Sequence, residues 1–135
     1  MIIPQDIRDF FEEIPQMALA TVDGNGMPNV VVIASKIIIN DSTIWTIDTF
    51  HDKTLHNILN NGKVALSFWN NTQGYQIKGT AKVYTQGAIF EKGRDWILTI
   101  KPKKIVKSVI EIKVSDVFYL TPNYTLAGQR VPNKI

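Results

Sequence analysis

The chain has 135 residues, 44% of them hydrophobic and 20% charged, with a formal net charge of +3 at pH 7, a balance that suits one globular domain over 1–135 and excludes a disordered or low-complexity tract. The sequence holds no cysteine, which excludes disulfides, thiolate metal sites and a cysteine nucleophile, so redox chemistry would require a bound cofactor. No apolar run approaches the ~20 residues of a membrane span, and the start MIIPQDIRDFFEE has no basic stretch leading into an apolar one; a cytoplasmic protein with no membrane partner is expected.

Ile7, Phe10, Phe11 and Ile14 fall at i, i+3, i+4 and i+7, which predicts an amphipathic helix over 5–14 that Pro15 ends. MALATV and PNVVVIAS follow, joined by Asp23-Gly24-Asn25-Gly26, residues that tolerate the positive φ of tight turns; this is a hairpin signal. The β-branched runs 36–40 and 43–48 around Asn40-Asp41-Ser42 predict a second hairpin. A short helix is expected at 53–61, and then KVALSFW and GYQIKGTAKVYTQG pair around Asn70-Asn71-Thr72, with Gly79 marking a bulge or a bend. Residues 87–100 carry Ile89, Phe90, Trp96, Ile97 and Ile100 at mixed helical spacing interrupted by Gly93, and SVIEIKVSDVFYL forms a last strand.

Nearly every strand is joined to the next by a turn too short for a parallel crossover, so the fold class is mainly β with an antiparallel sheet. Six or seven such strands can close on themselves and remove exposed edges, which favours a small barrel with short helices at its ends over an open sheet.

Metal and hydrolytic chemistry have little support. His51 and His56 are the only histidines, no carboxylate pair lies at ligand spacing beside them, and Ser35 and Ser67 have no G-x-S-x-G context. The common nucleotide-binding loops, G-x-G-x-x-G and G-x-x-x-x-G-K-[ST], are missing, so a phosphate site would have to be built otherwise. Lys53-Thr54 offers one route: a point charge and a hydroxyl beside the unpaired N–H groups of a helix start, able to meet a dianion, though the same residues also suit a plain helix start. Lys101, Lys103, Lys104 and Lys107 form a basic cluster without interleaved aromatics, read as a solvated turn, with no nucleic-acid partner expected.

The run Trp45-Thr46-Ile47-Asp48-Thr49-Phe50-His51-Asp52-Lys53-Thr54, then Leu55, Asn57 and Ile58, then KVALSFW, then Gln76-Ile77-Lys78-Gly79-Thr80-Ala81, resembles the FMN-binding split β-barrel family related to pyridoxamine 5′-phosphate oxidase, in particular its small single-domain members. The resemblance covers about 17–90. It implies a six-stranded antiparallel split barrel, a homodimer, and FMN held at the subunit interface. It also implies that the strands bearing Val32, Ile33, Ala34 and Ser35, and Ile47, Asp48 and Thr49, run past the isoalloxazine, while Lys53 and Thr54 hold the phosphate. The expected function is therefore that of an FMN-dependent oxidoreductase with a nicotinamide or other small-molecule electron donor. A non-catalytic FMN carrier is the alternative, and other branches of the fold bind the deazaflavin F420 or haem.

Two departures stand out. Asp52 occupies a place where the full-length oxidases carry a further basic residue, and the long C-terminal part that completes their pyridoxamine phosphate site has no counterpart after YLTPNYTLAGQRVPNKI, so oxidation of pyridoxamine phosphate itself is not expected. No side chain stands out as a catalytic acid or base.

Overall fold

The computed structural model describes residues 2–49 and 52–133, so His51 lies outside the described residues. Helix α1 spans Gln5–Glu13 and buries Ile7, Phe10 and Phe11, the stripe that the apolar spacing predicts. Strands β1 (Met17–Val22) and β2 (Pro28–Ile33) form the first hairpin. Its turn is fixed by Asp23, whose Oδ1 accepts the N–H groups of Asn25 and Met27, both at 2.8 Å, and by Gly26 at φ 82°.

Strands β3 (Lys36–Asn40) and β4 (Thr43–Asp48) form the second hairpin, helix α2 (Lys53–Asn60) follows, and β5 (Lys63–Trp69) pairs with β6 (Gly74–Tyr84). Asn70 organises that last turn: its Oδ1 accepts the N–H groups of Thr72 and Gln73, both at 2.9 Å. Helix α3 (Ala88–Ile100) and strand β7 (Ser108–Tyr119) complete the chain order.

The seven strands, all antiparallel, form one sheet in the order β2-β1-β5-β6-β7-β4-β3. The edge strands β2 and β3 are nonetheless consecutive, with Ala34 and Ser35 alone between them. In a flat sheet those edges would stand about 29 Å apart, at ~4.8 Å per strand step. Three residue steps of chain reach only about 11 Å. The sheet must therefore curl until its edges nearly meet, which makes a barrel whose open seam lies between β2 and β3. Gly79 does mark a bulge: the β6–β7 register shifts between Lys78 and Gly79, and a Cβ there would run into the Lys113 carbonyl.

Two apolar clusters result. The inner one joins the α1 stripe to the inward faces of the strands, with Phe68 wholly buried and edge-on to Phe11 at 5.4 Å between ring centroids. The outer one lies between α3 and the opposite face of β4 and β7, where Trp45, Ile47 and Val109 meet Ile97. Strand β4 is buried on both faces in consequence. The Gly93 that interrupts the helical pattern is what lets α3 approach, since a Cβ at that position would lie 2.6 and 3.0 Å from the two methyls of Val109.

Candidate functional site

The two-residue link between the barrel edges forms a corner, and hydrogen bonds fix it to β4. The Ser35 carbonyl accepts the Ile47 N–H at 3.0 Å and the Thr46 hydroxyl at 2.9 Å. Above the end of β4 runs the connection from α3 to β7, tied down at two points: the Thr49 hydroxyl donates to the Ile105 carbonyl at 2.6 Å, and the Lys107 N–H donates to the Asp48 carbonyl at 3.0 Å. Between corner and connection lies a cavity of about 150 Å³ lined by Val32, Ile33, Ala34, Ser35, Ile47, Thr49, Lys101 and Lys104. One segment thus supplies an apolar floor with hydroxyl rims, and the other adds two ammonium groups.

Of the residues that the sequence nominates, Val32, Ile33, Ala34, Ser35, Ile47 and Thr49 come together in this one cavity. The other three lie elsewhere. The Asp48 side chain is fully buried, with its Oδ2 accepting the Ser108 hydroxyl at 3.1 Å. Thr54 is 1% exposed, and its hydroxyl accepts the Asn29 side-chain amide at 3.1 Å; Asn57 donates to Thr21 at 2.9 Å nearby, so this polar cluster seats α2 against β1 and β2. Lys53 is exposed at the first position of α2, where Asp52 makes no side-chain capping bond to the first turn. The start of α2 keeps the N–H groups and partial positive charge that attract anions.

Lys101 and Lys104 belong to the basic cluster read from the sequence as a solvated turn. The Lys101 ammonium donates to the Ser35 hydroxyl at 3.1 Å, a contact across 66 residues of chain that local sequence cannot reveal. Lys36 stands close by. Burial, opposed by Glu12 and reinforced by Lys101, pushes its ammonium below the usual lysine range. Burial and then Lys101 push Lys104 down in the same way, with Asp48 opposing. The cavity mouth is thus a crowded cationic environment.

The cavity adjoins a bare wall of the barrel. On the outer face of β2, β1 and β5, Val30 is 63%, Val32 65% and Trp69 55% exposed, with Ala18, Ala20 and Ala65 between them in register. Val32 belongs both to the corner cavity and to a wider hollow of about 440 Å³ that reaches Met17 and Trp69. Among the described residues there is no group of three His, Cys, Asp or Glu side chains able to hold a metal ion, and no helix long and apolar enough to cross a membrane.

Sequence and structure comparisons agree with this architecture. An uncharacterized protein of Methanocaldococcus jannaschii, MJ0282, is 36% identical over 105 residues, covering 76% of this chain and 70% of that one. Among solved structures, HupZ of Group A Streptococcus superposes with a TM-score of 0.82 at 29% identity over 95% of this chain and 99% of its own. An FMN-binding protein from Syntrophomonas wolfei superposes at 0.70, with 19% identity, over 88% and 97% of the two chains, a likeness of fold. The family model described as pyridoxamine 5′-phosphate oxidase matches residues 3–121. With a curled antiparallel barrel, a cavity at its corner and a match over most of its length, the chain belongs to the pyridoxamine 5′-phosphate oxidase family.

Proposed function

We propose that the protein binds FMN at the barrel corner and works as a flavin-dependent oxidoreductase. The observation that carries this is the convergence of Val32, Ile33, Ala34, Ser35, Ile47 and Thr49 on one cavity beside an edge strand. An edge strand presents N–H and C=O groups outside its ladder, and these match the alternating donors and acceptors of a flavin pyrimidine ring. Apolar Val32, Ile33 and Ile47 suit the rest of the ring face, and Lys53 at the uncapped start of α2 suits the phosphate.

A cavity of about 150 Å³ encloses only part of a tricyclic ring, so the remainder lies along the neighbouring wall. A second copy of the chain, set against exposed Val30, Val32 and Trp69, would complete the enclosure and make the working form a homodimer. When bound, FMN supplies hydride or electron transfer; the protein seats the ring, holds the phosphate and excludes water. A nicotinamide or another small molecule would serve as donor.

The test is the absorbance of the purified protein, followed by anaerobic mixing with NADH and NADPH. A flavin spectrum that bleaches on a catalytic timescale is the expected result. Flavin that binds but is not reduced by any donor would indicate a carrier. A colourless protein that takes up no FMN on titration, or one that takes up F420 or haem in its place, would overturn the FMN assignment.

A further inference from the structure

We propose that the connection from α3 to β7 docks on an anionic lipid bilayer, with Ile100 and Ile105 entering the interface and Lys103 and Lys107 meeting the headgroup phosphates. The proposal stands apart from the flavin reading. Lys101 and Lys104 line the corner cavity, and the residues invoked are those that the same segment leaves outside it.

From 96 to 110 the chain carries four lysines and no acid. The carboxylates on either side are engaged, Asp95 with Arg94 at 3.2 Å and Glu111 with the Trp45 indole at 2.9 Å. Lys103 and Lys107 are exposed and form no ion pair among the described residues. Unneutralised ammonium groups on a projecting turn are drawn to the negative surface potential of an anionic leaflet.

Exposed apolar groups decide between anionic partners. A single exposed isoleucine is ordinary. Here two of them, Ile100 at 59% and Ile105 at 69% exposure, stand on either side of the lysine turn. A nucleic acid stacks its bases on aromatic rings or guanidinium planes, and 100–107 holds neither an aromatic residue nor an arginine. Aliphatic side chains interleaved with lysines suit a bilayer instead: the acyl boundary takes the isoleucines and the phosphate plane takes the ammonium groups. In sequence this cluster reads as a solvated turn, because the exposure of the isoleucines is set by long-range packing. Val106 packs on the outer apolar cluster, while Ile105 beside it is left outside.

The backbone of the turn is suited to the same surface. A water-poor interface penalises free peptide groups. Pro102 has no N–H. The Lys101 N–H donates to the Ile97 carbonyl at 2.7 Å, the Lys104 N–H to the Lys101 carbonyl at 3.1 Å and the Lys107 N–H to the Asp48 carbonyl at 3.0 Å, while the Ile105 carbonyl accepts the Thr49 hydroxyl at 2.6 Å. A turn held in this way presents its side chains with little ordering cost on binding.

The test sediments the full-length protein with vesicles of phosphatidylcholine alone and of phosphatidylcholine with one-quarter phosphatidylglycerol, at low and at physiological salt. Binding to the anionic vesicles alone, weakened by salt, is the expected result. Lys103→Gln/Lys107→Gln should weaken it by about twentyfold, from about fivefold per lysine, and Ile105→Ser by about tenfold, both with the thermal midpoint nearly unchanged. The chain has no cysteine, so Ile105→Cys offers a unique site for an environment-sensitive nitrobenzoxadiazole label, whose emission should shift to the blue on anionic vesicles. Should Ile105→Ser lower the thermal midpoint, the labelled protein decides the point. Failure to sediment with anionic vesicles, binding that ignores the lysine changes, or an unshifted label overturns the proposal. Capture of a single-stranded oligonucleotide at physiological salt in place of vesicles, lost in the lysine variant, also overturns it and assigns the turn to nucleic acid. None of these readouts depends on flavin.

Discussion

The two outer walls of the barrel are built from the same kind of strand and end in opposite states. On the β4–β7 wall, α3 covers Trp45, Ile47 and Val109, and the Trp45 indole donates to Glu111 Oε2 at 2.9 Å beneath it. On the β2–β1–β5 wall nothing in the chain covers Val30, Val32 and Trp69 among the described residues. The first apolar surface finds its partner within the chain; the second is left exposed among the described residues. A fold that spends a 13-residue helix on one wall and none on the other leaves the second as an exposed apolar patch, the wall on which the proposed flavin and second subunit would lie.

Removing the indole from the covered wall should have the largest effect. Trp45→Ala leaves a cavity beneath α3 and removes the indole donor from Glu111, and a loss of about 3–5 kcal/mol is expected in urea unfolding. Trp69→Ala on the bare wall should change monomer stability by less than about 0.5 kcal/mol while weakening self-association, as seen by sedimentation against concentration. Equal losses at the two positions would erase the distinction.

Lys53→Ala tests the proposed phosphate contact at the start of α2. A fall in FMN affinity of about 1.5–3 kcal/mol, with riboflavin affinity and the thermal midpoint unchanged, is expected from fluorescence titration. Equal FMN affinity in variant and wild type would remove the phosphate assignment.

Gly93→Ala probes the covered side more gently. Its added methyl meets fully buried Val109, which cannot withdraw, so a loss of about 1–3 kcal/mol and a lower thermal midpoint should follow. A stabilised variant would mean that helix propensity outweighs the close approach.

The smallest effect on the fold is expected for Val32→Glu. An edge-strand side chain that is 65% exposed tolerates charge, so monomer stability should hold within about 0.5 kcal/mol. Dimerisation and flavin retention should fall together, because the same residue lines the corner cavity. Flavin kept tightly by a monomer would defeat the shared-site model.

What the sequence revealed was local. The hairpins were legible because Asp23, Gly26 and Asn70 carry turn chemistry within four residues of the bends they make. The barrel was legible because short antiparallel connections leave few topologies, and the seven strands match the runs read from the residues, one more than the resemblance implies. Lys101 and Lys104 were not legible as cavity residues, since only the long-range pairing of β4 with β7 brings them over Ser35. The role of Gly93 was hidden for the same reason: a glycine that weakens a helix and one that admits a helix to a sheet look alike until the neighbour, Val109, is known. Thr54 looks available beside Lys53 in sequence, yet it faces Asn29 on β2.

Trp45 pairs with Glu111 across 66 residues, a contact that cannot form until most of the chain has been made. Ala34, Ser35 and Thr49 emerge early from the ribosome, but the connection that roofs them is anchored through Ile105 and Lys107, just ahead of the strand β7 that pairs between β4 and β6. Contacts of such long sequence separation are slow to form. If the corner holds the proposed flavin, it should become competent for it only as the barrel finishes, too late for the flavin to nucleate the fold. In refolding experiments, quenching of flavin fluorescence should track the last and slowest phase rather than the early collapse.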